Sequence, residues 1–160
     1  MKKNIKKMNK TLLAVYAVSI LIALVIIADF ALPGKIITNK IANIQKSLEE
    51  YYNAGGNYHY SYKISTDKHE FSVTEEFAVL VKENEEIEYS VSQIFKKVNW
   101  YKQPSSDNKS FYSLRIVTGL VLPLLVILSI FIAYRYKKKM NTLLFVLQTL
   151  LIADLIFLIL

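Results

Sequence analysis

The stretch TLLAVYAVSILIALVIIADFAL, residues Thr11–Leu32, carries one charge, Asp29, near its end. As a helix rising about 1.5 Å per residue it covers about 33 Å, enough to cross a hydrocarbon core of about 30 Å. Two more runs match it. Ile116–Tyr134 holds no charge, and Thr142–Leu160 holds Asp154 alone. Backbone polar groups in lipid find no water, so each run is expected to be helical. A soluble bundle would need amphipathic elements to cover three helices apolar all round, and the remaining sequence offers none. The run at Thr11 exceeds the length of a signal-peptide core, and ADFALPGK gives no small-x-small cleavage site, so it is expected to stay as a signal anchor.

Charge orders the threading. The net charge is +7. Lys2, Lys3, Lys6, Lys7 and Lys10 precede the first run, and Arg135, Lys137, Lys138 and Lys139 lie between the second and third, with no acid among them. Residues 33–112 hold 10 Lys against 11 Asp or Glu. Basic short segments mark the cytoplasmic face. The expected layout is a cytoplasmic basic N-terminus (1–10), transmembrane helix 1 (11–32), an extracytoplasmic α+β module (33–112), transmembrane helix 2 (113–134), a cytoplasmic basic turn (135–141) and transmembrane helix 3 (142–160), with the C-terminus outside. Composition and threading are those of a small multi-pass protein of a bacterial cytoplasmic membrane. The bilayer is the first partner, and the basic segments suit anionic headgroups.

Within the module, Ile37, Ile41, Ile44, Leu48 and Tyr51 recur at spacings of four and three. That period predicts a helix over 35–52 with one narrow apolar seam, ended by NAGGN at Asn53–Asn57. Tyr58, Tyr60, Tyr62 and Ile64 alternate with polar residues and predict a strand. A short strand is expected near His69–Val73. SVTE reads as a capping box, with Ser72 the N-cap and Glu75 its partner, opening a helix over 73–82. Ile87, Tyr89 and Val91 alternate again, and KKVNWY continues that strand or starts another. The tyrosines are expected in packing rather than in ligand stacking.

Chemistry-bearing patterns are sparse. The chain has no Cys, hence no disulfide or thiolate metal site. It has no HExxH and no glycine-rich phosphate loop. Asp67, His69 and Glu70 share a turn but read as solvated. No catalytic residue, cofactor-binding residue or metal ligand is assigned, no cofactor is expected, and the chain is not expected to be an enzyme. No basic face lies outside the anchors, which excludes nucleic acid as a partner.

The membrane segments hold the candidate interaction residues. Asp154 is the ionisable group at depth, and an intramembrane carboxylate marks a site by default. Gln148 shares its helix, but lies about 240° round from it, so the two form no polar stripe. Arg115, at the outer end of transmembrane helix 2, is the candidate partner for Asp154 within the chain, and a group on a partner subunit is the other candidate. Asp29, nearer the boundary, is expected to reach water. Ser19 with Ala23, and Ser129 with Ala133, give small-xxx-small spacings for helix packing. The expected role is a non-enzymatic accessory or assembly subunit of a larger membrane complex, or a homo-oligomer. The alternatives are an extracytoplasmic sensor or ligand-binding protein, and an ion- or proton-handling protein built on Asp154.

Overall fold

A computed structural model describes residues 10–50, 58–136 and 140–160. The sequence expectations for the basic N-terminus before Lys10, for Asn53–Asn57 and for Lys137–Lys139 fall outside these residues. In chain order the elements are α1 (Lys10–Ala31), β1 (Lys35–Glu50), β2 (Tyr58–Thr66), β3 (Glu70–Val73), α2 (Glu75–Leu80), β4 (Glu86–Val91), β5 (Val98–Lys102), α3 (Ser113–Ile116), a π-helical turn (Val117–Val121), α4 (Leu122–Tyr136) and α5 (Asn141–Ile159). Three helical stretches, Lys10–Ala31, Ser113–Tyr136 and Asn141–Ile159, are long and apolar enough to cross a membrane. The chain divides into two compact units, with Asp29–Val117 forming one and the flanking helices the other.

In the helical unit each helix buries one stripe. α1 buries Tyr16, Ser19, Ala23 and Ile26; α4 buries Pro123, Val126, Ile130 and Ala133; α5 buries Leu144, Leu151, Asp154 and Leu158. These spacings of three, four and seven keep each set on one helical face. The remaining faces expose large apolar side chains, among them Leu21, Leu24, Leu128, Phe131, Phe145 and Ile159. Pro123 lacks an N–H for the helical ladder, and the π turn just ahead of it, containing Gly119, absorbs the irregularity.

The other unit is a curled antiparallel sheet in the order β3-β2-β1-β4-β5. Its central strand corrects the expectation of a helix over 35–52, because Lys35–Glu50 is one long strand. Its first half, Lys35–Lys40, pairs with β4, and its second half, from Ile41, pairs with β2. A bulge between Ile41 and Asn43 separates the halves. That bulge explains the helix-like spacing. An interval of four, as from Ile37 to Ile41 or Ile44 to Leu48, keeps a strand residue on the same face, while an interval of three changes face. One extra residue restores the face, so Ile37, Ile41 and Ile44 all pack against the module core. Four isoleucines and a threonine among these residues favour the extended chain.

The core holds Ile41, Tyr62, Ile64, Phe71, Val73, Ile87, Tyr89, Val91 and Tyr101, closed by Phe77, Ala78 and Val81 from α2 and the residue after it. Alternation had located β2 and β4, and KKVNWY forms a separate strand, β5. The helix N-cap falls two residues later than expected. Val73 is held in the β2–β3 ladder opposite Tyr62, so Thr74 caps α2, its hydroxyl accepting the Phe77 N–H at 3.4 Å. Glu75 and Glu76 then sit in the first turn, where the helix dipole favours negative charge. Tyr101 OH accepts the Thr74 N–H at 2.8 Å, joining β5 to that cap. Burial raises the Tyr101 phenol above its usual range, partly opposed by this hydrogen bond.

Candidate functional site

Two polar constellations lie within Asp29–Val117. The first starts from a conflict: Asp29 occupies the last turn of α1, where the helix dipole disfavours a carboxylate. It was expected to reach water; instead its side chain is 0% exposed. The structure supplies what water would have given. Arg115 Nη2 donates to Asp29 Oδ2 at 3.1 Å, and its own side chain is 7% exposed. The backbone N–H groups of Ile94 and Phe95 donate to Asp29 Oδ1 at 2.7 and 3.2 Å.

Asn99, on the inward face of β5, completes the cluster. Its Oδ1 accepts from Arg115 Nε at 2.9 Å. Its Nδ2 donates to Asp29 O and Phe30 O at 3.3 and 3.2 Å, satisfying carbonyls that the end of α1 leaves without helical partners. The Arg115 guanidinium also lies 5.6 Å from the centroid of the Phe30 ring. Removing one member of a buried, hydrogen-bonded pair typically costs about 3–5 kcal/mol. The cluster therefore fixes the end of α1, the β4–β5 loop and the start of α3 in one arrangement.

Gly34 shows how tightly the chain is drawn in beside it. A β-carbon there would lie 2.4 Å from Val91 O and 2.6 Å from Ser90 Oγ, so only glycine lets β1 begin against β4. Gln93 Nε2 donates to Pro33 O at 2.8 Å across the same junction.

The second constellation is a half-open cavity of about 390 Å³, lined by Lys35, Ile36, Ile37, Lys68, His69, Val91, Ser92, Gln93 and Lys96. One wall is the beginning of β1, another is the β2–β3 turn, and the third is the end of β4 with its following loop. Lys96 is held at φ 57°, a left-handed conformation unusual for a residue other than glycine or asparagine. His69 Nδ1 lies 3.0 Å from Tyr89 OH, which lies 3.2 Å from Thr66 Oγ1. The Thr66 hydroxyl donates to His69 O and accepts the N–H groups of Lys68 and His69. The Tyr89 hydroxyl thus bridges His69 Nδ1 and Thr66 Oγ1. Asp67, His69 and Glu70 do not converge. Glu70 pairs with Lys63 at 3.3 Å, and among the described residues no three His, Asp or Glu groups are placed to hold a metal ion.

The candidates along the apolar helices are placed as follows. Gln148 Nε2 donates to Ser19 Oγ at 3.0 Å, joining α5 to α1, while Ser19 itself donates to Val15 O at 2.9 Å. Ser19 thus makes a polar bond to α5, and Ala23 is fully buried on the same stripe. Ala133 lies on the buried stripe of α4, with Ser129 half-buried beside it. Asp154 shares the buried face of α5 with Leu151 and Leu158, away from the exposed apolar faces. Arg115 is bonded to Asp29 and Asn99. Asn99 went unnoticed in the sequence, although its register with Tyr101 makes it a polar residue on the inward face of a strand. The cavity lysines went unnoticed because each comes from a different segment.

The fold defines a class: three helices long and apolar enough to cross a membrane, with a curled antiparallel β module inserted after the first. Compared with known proteins, the chain matches no family model, no curated protein and no solved structure.

Proposed function

We propose that the chain is a non-enzymatic accessory subunit of a larger complex in a bacterial cytoplasmic membrane, with the N-terminus and the turn at 135–141 inside and the β module outside. The observation that supports this reading is the buried Asp29–Arg115–Asn99 cluster, which joins the end of one candidate span to the start of another. Each of its polar contacts positions backbone or another side chain. Burying such charges rarely adds net stability over apolar packing, and its best-attested use is to specify a single arrangement. A subunit that presents a surface to partners needs such fixed presentation of its module. The orientation follows from the basic residues flanking the spans.

The test is extraction from native membranes in mild detergent. The expected result is that other membrane proteins accompany the wild-type chain, and that Arg115→Met loses them while remaining in the membrane fraction. A monodisperse single-chain particle with no companion in every mild detergent contradicts the reading.

A further inference from the structure

The cavity beside β1 is not needed for anchoring, and its lining is chemically one-sided. Lys35, Lys68 and Lys96 converge on it with His69, and no carboxylate is among its lining residues. Among the described residues, the salt bridges join Lys63 with Glu70, Lys102 with Glu88 and Arg115 with Asp29, and none includes these three lysines. The module as a whole is nearly neutral, so this is a local concentration of one sign, of the kind that concentrates oppositely charged ligands. Lys96 is kept there in a conformation that costs a lysine on the order of 1 kcal/mol, and such strain gathers at functional sites. The imidazole adds a ring nitrogen, Nε2, for a ligand, its Nδ1 being occupied by Tyr89. Ile36, Ile37 and Val91 supply apolar lining.

We infer that this cavity binds a phosphate ester, with the lysines and His69 on the phosphate oxygens and the isoleucines and Val91 against the carbon skeleton. Lysine is a point-charge binder of phosphate, and three of them suit a group with several charged oxygens better than a single carboxylate. The volume exceeds that needed for a bare oxyanion and fits a small organic phosphate or a phospholipid headgroup. Leu32, Pro33 and Gly34 alone separate α1 from Lys35, so a headgroup at the end of that span lies within about 14 Å of extended chain.

The experiment uses the full chain in detergent, as wild type, as Lys35→Gln/Lys96→Gln, and as Lys63→Gln, which changes a lysine outside the cavity. Thermal unfolding is followed against inorganic phosphate, glycerol phosphate and acetate at constant ionic strength. In parallel, native mass spectrometry scores phosphatidylglycerol retained after exchange from mixed vesicles. The wild type and Lys63→Gln are expected to bind glycerol phosphate, phosphatidylglycerol or both. The double variant is expected to bind about tenfold more weakly or worse, as loss of a charge-assisted hydrogen bond requires. Stabilisation by glycerol phosphate without lipid retention identifies a soluble ligand, and the reverse identifies a headgroup. Equal binding by wild type and the double variant, an equal response to acetate, or no response to any phosphate compound overturns the assignment. The unliganded melting temperature of the double variant, expected within a few degrees of wild type, separates lost binding from lost folding.

Discussion

Asp29 shows how one residue changes meaning with its surroundings. Counted along the sequence it is a charge near the end of an apolar run; in the structure it accepts from a guanidinium and two backbone N–H groups. A double-mutant cycle measures that change. Asp29→Asn and Arg115→Met are each expected to cost about 3 kcal/mol or more, and the double variant less than their sum by at least about 1 kcal/mol. Denaturant unfolding in micelles, read from the fluorescence of Trp100, checks this, since the chain has one tryptophan and it neighbours Asn99. Strict additivity would mean that the pair contributes no coupling. Gly34→Ala belongs to the same scale. Its methyl meets carbonyl oxygen rather than a flexible side chain, so the start of β1 must move away from β4. The expected result is a lower unfolding midpoint and faster amide exchange at residues 89–91.

At the scale of elements, β1 is the instructive case. Sequence spacing alone gave it a helical period, because one bulge converts intervals of four, three and four into a single strand face. The two readings differ at named positions. A helical seam would bury Ile41 and Leu48 alike, whereas the strand runs on past the module core, so that Ile41 is 0% and Leu48 52% exposed. Ile41→Ala is expected to cost about 2–5 kcal/mol and Leu48→Ala less than about 1 kcal/mol, measured by the same unfolding assay. Equal costs would restore the helix. β2 and β4 were legible because their alternation is uninterrupted through Tyr62, Ile64, Ile87, Tyr89 and Val91, and α2 was legible to within two residues. The ladder pairing of Val73, a contact between strands, moved the cap from Ser72 to Thr74. Local patterns report local periods; a bulge or a ladder partner enters only through the third dimension.

For the whole molecule, the three long apolar helices were legible because such runs need no tertiary information. Both polar constellations were hidden for the opposite reason: Asp29, Asn99 and Arg115, like Lys35, Lys68 and Lys96, are far apart in sequence and meet only through the curl of the sheet. The placement of the module outside and of both basic segments inside underlies the proposed role, since it decides which compartment any partner occupies. The absence of cysteine makes a direct measurement possible. Single cysteines introduced at exposed Ser105 and at Asn141 are treated with a membrane-impermeant maleimide in intact cells and after permeabilisation. The account predicts that Ser105→Cys labels in intact cells and that Asn141→Cys labels only once the membrane is opened. Labelling of both in intact cells, or of Asn141→Cys alone, contradicts it.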